Sequence, residues 1–572
     1  MAHRPKIDNS VKEPRSNQNL SCNWTGTTDF GRLTPFHWEE LLPGDHVIHC
    51  KPRTEMLCLP LASPTFGKVD LYMHYFLVPL RQLDDHFYDK WSRTGVNKDL
   101  TFSCLNPLLL HDMYNRPDGG QLPAAKKRAL YKHWTSLGLP PFFHETFRSD
   151  FVGDVTPISY YPFAAYNKIW WDFYRDPELI RDESISNYLF TGEVPDDEDG
   201  EYYANFCDKF LFPHLRTIKN NWISDLYAQN MIDKPLGEFG FLPYNGSDDD
   251  RTYLDEDGNY FARVQGGEIV KSDDTTSQQI RIIEALTRLS ERLSLSGKRQ
   301  IEALFARYGI KPKWSEINLC RYVGGAKQTV MINDIISTSD TTDANENLGL
   351  PLGAQAGKGY CSLAELDINV SVDEPSILMG IVSVMPHVHY VQGLSKKWQR
   401  RYFQDFFQNS LQYVGNVAVS KREVGYRQTN IDYNSSYDGG VFAFTDPYYE
   451  YKMGLDVLAG DFMRYHQLNI DQVGSPSEEL ALQYMQSMEQ YIDFPIDRLF
   501  KADNLVIDGD QFNKIFTYLG GSLYSDADDH FHLCIDKDVL VSRPMEGFAI
   551  PTLETTSDPH QKTTPISEDK ML

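Results

Sequence analysis

From Val69 to Leu77 the chain keeps a strict two-residue period: Val69, Leu71, Met73, Tyr75 and Leu77 fall on one side, Asp70, Tyr72 and His74 on the other. Only an extended strand with one face against a core satisfies that pattern, because successive side chains of a strand point to opposite faces. Leu366, Ile368, Val370 and Val372 repeat it against Asp367, Asn369, Ser371 and Asp373. Glu374-Pro375-Ser376 then turns the chain, and Ile377 to Met385 returns as an apolar run, which predicts an antiparallel pair with one buried face. Phe531, Leu533 and Ile535 open a last strand that reaches Arg543-Pro544. Strands occupy much of residues 25–80, with Pro43-Gly44 and Ser63-Pro64 as turns.

The period changes once the chain enters residues 161–175. Phe163, Tyr166, Ile169, Trp170 and Phe173 form a helical stripe that Pro177 stops. A helical pair follows, with Ile280, Ile283, Leu286, Leu289 and Leu293 on one stripe and Ile301, Leu304, Phe305 and Tyr308 on the next; Gly309 is placed as a C-cap. Periodicity alone therefore supports a β-rich α+β fold. The first twenty residues are polar and mildly basic, an extended arm or a plain tail.

Composition narrows the function. The 572 residues include 33 Tyr and 32 Phe and are 41% hydrophobic, enough for a large core or extensive subunit interfaces. No apolar stretch approaches the roughly 20 residues that span a bilayer, and the eight cysteines show no paired spacing, so reduced thiols are expected. The formal charge is −25. A chain that wrapped nucleic acid unaided would be basic, so any nucleic-acid role calls for a separate basic partner or cations.

Catalytic and metal signatures fail on spacing. Gly353-Ala-Gln-Ala-Gly357-Lys358-Gly359 has one residue too few for a phosphate loop and Gly359 where Ser or Thr is needed, so it reads as a flexible loop. Around Asp255-Glu256-Asp257-Gly258 an EF-hand would put Tyr253 and Val264 at its first and twelfth positions; the turn reads as a solvated acidic tip. His144-Glu145 lacks the second histidine of a zinc protease, and His530, His532 and Cys534 lack a fourth zinc ligand. His387 and His389 read as packing or interface residues. No Gly-x-Ser-x-Gly elbow occurs. Neither a catalytic residue, a metal ligand nor a cofactor is expected.

One segment does carry binding chemistry. Lys396, Lys397, Trp398, Arg400 and Arg401, followed by Tyr402, form the densest basic stretch. Cations with interleaved rings suit phosphates and stacked bases, so these are the candidate DNA-contact residues, against a helix start or subunit contact. The acidic stretch of about 190–275 contains Asp248, Asp249, Asp250, Asp255, Glu256 and Asp257. A charged loop of this length is costly to bury and is the candidate outward protrusion.

The wording of several blocks resembles the major capsid protein of microviruses, small icosahedral single-stranded-DNA bacteriophages, in their gokushovirus branch. The blocks are Trp24-Thr-Gly-Thr-Thr-Asp-Phe-Gly-Arg-Leu-Thr-Pro35 and Lys68 to Pro79, then Tyr161-Pro-Phe-Ala-Ala-Tyr to Tyr174-Arg-Asp176, and Gly297 to Gly309 with Arg321-Tyr-Val-Gly-Gly325. Gly380-Ile-Val-Ser-Val-Met-Pro386, Tyr390-Val-Gln-Gly393, Tyr448-Tyr-Glu-Tyr-Lys452, Gly460-Asp-Phe462, Ile492-Asp-Phe494 and Arg543-Pro-Met545 continue the series in order. The departures lie mainly at 185–275 and 425–440.

The resemblance implies an eight-stranded viral jelly-roll β-sandwich with long helical and loop insertions. It divides the chain into an arm at 1–20 and a single capsid domain at 21–572, with insertions at 150–310 and about 425–525. It implies a sixty-copy T=1 shell around circular single-stranded DNA, found in the virion and assembled in the host bacterial cytoplasm. Its implied partners are further copies of the chain, a small basic DNA-binding protein, an internal scaffolding protein, a DNA pilot protein and a host cell-surface receptor, with no membrane insertion. The alternative from composition is a carbohydrate-binding β-sandwich module.

Overall fold

The computed structural model describes residues 15–59, 69–92, 102–105, 124–140, 157–175, 210–216, 318–336, 355–363, 366–386, 395–413, 417–420, 441–454 and 529–545, with shorter pieces between them. The strands begin with β1 (Ser16–Asn19), β2 (Cys22–Thr28), β3 (Thr34–Leu41), β4 (His46–Cys58) and β5 (Val69–Pro79). Two short ones follow, β6 (Cys104–Leu105) and β7 (Ile158–Ser159), then β8 (Tyr244–Asn245), β9 (Thr252–Leu254), β10 (Tyr260–Gln265) and β11 (Glu268–Lys271). The chain continues through β12 (Arg321–Thr329), β13 (Met331–Ile336), β14 (Gln355–Leu363), β15 (Val370–Ser371) and β16 (Ser376–Pro386). The last are β17 (Val417–Ser420), β18 (Val441–Thr445) and β19 (Phe531–Arg543).

Two large antiparallel sheets face each other across one core. The first runs β1-β19-β4-β14-β13, with β2 also on β19 and β15 also on β4; the second runs β12-β5-β16-β3. Every residue of the expected inward row of β5, from Val69 to Leu77, lies in this core, as do Leu366, Ile368, Val370 and Val372. Phe531, Leu533 and Ile535 on β19 join them. The alternation read from the sequence is thus the inward face of each strand.

One expected pairing is wrong. Residues 366–373 and 377–385 do not form a hairpin: Val370 and Ser371 pair with Val47 and His46 on β4, whereas β16 pairs with β3 and β5 in the other sheet. The turn at Glu374–Ser376 crosses between sheets. The physical reason is that all eleven residues of β16 are buried. A strand buried on both faces needs a second layer, which a simple half-exposed hairpin lacks.

Helices supply that layer. Alongside α1 (Phe87–Ser92) stand α2 (Ala124–Ser136) and α3 (Tyr161–Ile169), the last continuing as a π-helical turn through Trp170–Tyr174. Ile377, Met379 and Ile381 from β16, and Phe76 and Val78 from β5, pack outward against Trp134, Tyr160, Phe163, Tyr166, Trp170 and Phe210. Pro162 suits the first turn of α3, where its missing N–H costs nothing. All nine residues of α3 are buried, so a single apolar stripe understates it. Asn167 makes this tolerable by donating to the carbonyls of Phe163 and Phe210, both at 2.8 Å.

A bulge in β3 shows how the inner core is fitted. Gly380 pairs with His37 and Ile381 with Pro35, leaving Phe36 as the extra residue. Its ring lies where a side chain at Gly380 would stand, 2.7 Å from a built Cβ. Its carbonyl accepts from the Lys537 ammonium at 3.2 Å, a buried lysine in the inward row of β19.

Three smaller expectations meet the structure here. Residues Gln355–Leu363 form a strand on β13 and β4, not a flexible loop, since Lys358 and Gly359 pair with Asn333 and Ile332. Ser16–Asn19, within the expected arm, is a strand on Arg543–Leu540. Gly309 does cap its helix, with φ of 68° and its N–H on the Phe305 carbonyl at 2.8 Å. Residues 1–14, Ser63-Pro64 and the stripe Ile280 to Leu293, with Ile301, lie outside the described residues, except for isolated helical positions such as Ala285.

Candidate nucleic-acid interface

The basic segment begins with Ser395, whose hydroxyl accepts from the Lys397 N–H at 3.4 Å and caps the one-turn helix α4 (Lys396–Gln399). Arg400 leaves the helix in extended geometry. A 3₁₀ turn, Phe403–Asp405, follows. The Asp405 carboxylate accepts from the N–H groups of Arg401 and Tyr402, at 2.6 and 2.7 Å, and these bonds hold its carboxyl below the usual range. Because the backbone is pinned there, the neighbouring side chains are presented outward.

The five candidate residues divide into two groups. Lys396 and Arg400 turn back onto α5 (Tyr449–Lys452): the Lys396 ammonium lies 5.8 Å from the Tyr449 ring, and Arg400 lies 4.5 Å from the Tyr451 ring and 3.4 Å from Glu450. Glu450 is buried, so this pair holds the segment down. Lys397, Trp398 and Arg401 face outward, with Trp398 81% exposed. The extended backbone at Arg400 turns its side chain back towards Glu450 and leaves Arg401 on the outward side with Lys397.

Sequence reading missed the rest of the surface. Phe403 is 73% exposed and Tyr402 69%, and Phe406 and Phe407 are each about half exposed. The doublets Tyr402-Phe403 and Phe406-Phe407 were visible signals. Tyr448 supports them from below in a left-handed backbone conformation, φ 59°, which a bulky residue adopts only under constraint. Its ring meets Phe407 at 5.1 Å and its hydroxyl accepts from the Gln408 N–H at 3.1 Å. Beside it the Tyr449 hydroxyl donates to Glu423, a buried carboxylate. Among the described residues the resulting surface offers cations and open ring faces and no nucleophile–base pair.

Other sequence candidates fare differently. Asp248, Asp249, Asp250, Asp255, Glu256 and Asp257 lie outside the described residues, as do His144, Glu145, His387 and His389. The stretch that carries those acids does contain a four-stranded antiparallel sheet, β11-β10-β9-β8, that pairs with no other sheet among the described residues. His530 is buried on Asp29 at 3.3 Å while His532 is exposed, so the two do not converge on one metal position. Among the described residues no His, Cys, Asp and Glu side chains group as a metal site, and no helix there is long and apolar enough to cross a membrane.

Comparison with known proteins gives this surface its setting. The Capsid protein VP1 of Bdellovibrio phage phiMH2K is 23% identical over 480 residues, covering 79% of this chain and 83% of that protein. The Capsid protein VP1 of Chlamydia phage 1 is 21% identical over 533 residues, covering 78% and 84%. The profile of the family described as "Capsid protein (F protein)" matches residues 8–491. That span takes in β1 to β18 and all of the helices above, so the resemblance read from the sequence blocks stands and the chain belongs to the phage capsid protein (F protein) family.

Proposed function

We propose that this chain is the shell-forming subunit of a T=1 icosahedral phage particle, in which sixty copies enclose a circular single-stranded DNA. The observation that carries the reading is strand order. β2, with β1, then β19, β4 and the run β13–β15 make one sheet, and β3, β16, β5 and β12 the other. Taken as eight strands, that order supports an eight-stranded viral jelly roll, which we assign to one domain, 21–572, with Ser16–Asn19 of the arm added at its edge. The long excursions then leave it after β5 and after β16, where insertions at 150–310 and about 425–525 extend from a fixed frame. Closed symmetry multiplies many modest contacts, which is how such a shell holds together.

The particle is the site of action, and assembly takes place in the host bacterial cytoplasm. A chain of charge −25 repels a packaged strand, so a small basic DNA-binding protein accompanies the DNA. An internal scaffolding protein and a DNA pilot protein complete the set of partners. On the inner wall Lys397, Trp398 and Arg401 contact the DNA, with Lys396 and Arg400 anchoring them. The stretch about 190–275, with its own small sheet, is the protrusion that meets a host surface receptor. No catalytic step, cofactor or membrane insertion belongs to this reading.

The test is electron microscopy of the chain co-expressed with the basic and scaffolding partners. Uniform closed particles are expected, and a persistent monomer with those partners present would overturn the reading. Excising residues 243–272, the whole small sheet, is expected to leave particles intact and reduce adsorption to host cells. Loss of assembly by a folded excision variant would remove the protrusion from the proposal.

A further inference from the structure

The outward face of the β12-β5-β16-β3 sheet changes character along its strands. At one end Val78 stands beside Ile377 and Phe76 beside Met379, and helices cover them. Two rungs further the cover changes. There Lys327, Tyr72 and Ser383 form one cross-strand row over β12, β5 and β16. Arg216 reaches over that row from the strand-like contact of Leu215 with Arg32. Its backbone N–H is fixed on the Gly31 carbonyl at 2.7 Å.

The guanidinium is seated without being neutralised. One nitrogen donates to the Ser383 hydroxyl at 3.0 Å, and the group lies 4.3 Å from the Tyr72 ring centre and 5.6 Å from that of Tyr174. Among the described residues no carboxylate lies within ion-pair distance of it, whereas Arg32, Arg81, Arg400 and Arg543 each hold at least one. Arg32 has two nitrogens sealed from solvent without a partner; Arg216 has none. Arg216 is half-buried and burial lowers its pKa, so its unused N–H edge meets solvent only in part. The Lys327 ammonium stands 5.2 Å from the same Tyr72 ring, on a side chain 53% exposed, and is bonded to Asp70 at 2.7 Å. Burial and the nearby Arg216 push His74 down to about 4, so it is neutral at pH 7. Among the described residues, two cations against one carboxylate, Asp70, leave this face with a single positive charge on a strongly acidic chain.

We propose that Arg216, with Lys327 and the Tyr72 seat, forms an anion site that takes a phosphate group. A planar guanidinium held on an aromatic ring presents paired donors that match two phosphate oxygens. Lys327, turned from the neighbouring strand, meets a third oxygen that a carboxylate does not have. Two sources share this chemistry, free inorganic phosphate and the phosphodiester of a nucleic-acid strand. The site lies on the sandwich itself and does not depend on the segment at 396–401.

The test is isothermal titration calorimetry on the purified full chain, first with inorganic phosphate and then with a five-residue oligothymidylate. Saturable phosphate binding is expected, weakened at least tenfold in Arg216→Gln and several-fold in Lys327→Gln. Tighter binding of the oligonucleotide, by tenfold or more, assigns the site to a strand; equal binding assigns it to the free ion. An absence of saturable binding in the native chain, or equal affinity in Arg216→Gln, would overturn the proposal. So would acetate binding as tightly as phosphate, which would make this a carboxylate seat. Should Arg216→Gln fail to fold, as read by its thermal transition, Lys327→Glu replaces it: a surface change expected to abolish phosphate binding, and unchanged affinity there is equally decisive against the site.

Discussion

The sheet β12-β5-β16-β3 divides two cores of unlike chemistry. The inner core is mostly Val, Leu, Ile and Met, with the thiols Cys50, Cys58 and Cys361 of the opposite sheet and a few rings, Phe30, Phe36, Tyr75 and Phe531. The sheet's outward residues meet helices through large rings, among them Trp134, Tyr160, Phe163, Tyr166, Trp170 and Phe206. Two sheets pack at a nearly fixed spacing of about 10 Å, so side chains that interdigitate in layers fill the inner space. Helices stand off a sheet at distances set by the side chains between them, and rings with polar tips bridge that gap. The inner core is thus chiefly a problem of volume, with the Lys537 ammonium on the Phe36 carbonyl as a polar exception. The outer one is a problem of volume and hydrogen bonds together.

The largest expected effect comes from cutting the tie between the two. Asp529, just before β19, is fully buried and holds Arg32 at 2.8 Å, Lys132 of α2 at 2.5 Å and the Thr27 hydroxyl at 2.7 Å. Asp529→Ala leaves two cations without their carboxylate and is expected to cost about 3–5 kcal/mol in urea unfolding. Burial pushes this carboxyl up, but Arg32 and Lys132 outweigh it and bring it down to about 2, from 3.8 unfolded. A depressed carboxyl stabilises fully above the unfolded value and loses that contribution as pH falls through the folded one. The native chain should therefore weaken between pH 4 and 2, and Asp529→Asn should flatten that slope. A native slope retained in the variant would show that other groups govern acid unfolding.

Two substitutions of middle size separate the cores. Gly380→Ala puts a methyl group 2.7 Å from the Phe36 ring, and overpacking of this kind is expected to cost about 1–3 kcal/mol. Tyr166→Phe changes almost no volume. It removes the donor to the Leu33 carbonyl, at 2.9 Å, and the acceptor of the His214 N–H, at 2.8 Å. Leaving those groups buried and unmade should also cost about 1–3 kcal/mol. If Gly380→Ala were neutral while Tyr166→Phe cost its full amount, the inner core would be looser than its packing implies.

How far this division could be read from sequence depends on which face is asked about. The inward rows of β5 and β19 were legible because their alternation is local. The outward row of β16 was not. Ile377, Met379 and Ile381 alternate with Leu378, Val382 and Val384, all apolar, so the run reads as one block and suggests the nearest partner strand. Its real partners, β3 and β5, lie some 300 residues away in sequence, and no local pattern encodes that pairing. At the candidate interface the same limit applies: the charges of Lys396 to Arg401 were visible, but Glu450, which removes Arg400 from the surface, is fifty positions distant. Phe403 was visible as a residue type and invisible as an exposed one.

A smaller effect, of opposite sign, probes the outer core alone. His133 is buried against Tyr166, their ring centres 4.4 Å apart, with neither ring nitrogen bonded. Burial pushes it down to about 3, from 6.5 unfolded. Folding therefore favours the neutral ring, and the resulting stability is complete above pH 6.5 and lost progressively as pH falls towards 3. His133→Phe removes two unmade polar groups at nearly constant volume. It is expected to raise stability by about 1 kcal/mol at pH 7 and by more at pH 5. A loss of stability at both values would mean that an acceptor or donor serves this ring in solution.

The smallest expected effect on folding lies where neither core reaches. Trp398 is 81% exposed, and Lys397 and Arg401 beside it are exposed as well. Trp398→Ala should shift the unfolding free energy by less than about 0.5 kcal/mol, since surface changes away from buried features rarely do more. An open indole face that stacks one base contributes about 1–3 kcal/mol, so the same substitution should weaken oligothymidylate binding roughly 5- to 150-fold. Arg400→Gln provides the contrast, because it frees the buried Glu450 carboxylate and should cost stability first and binding only through disorder of the turn. If Trp398→Ala leaves binding unchanged but prevents particle closure, the ring belongs to a contact between subunits. If it changes neither, the outward group is a solvated face. Folding and binding can be read separately on this segment because Arg400 and Lys396 hold it down while Lys397, Trp398 and Arg401 do not.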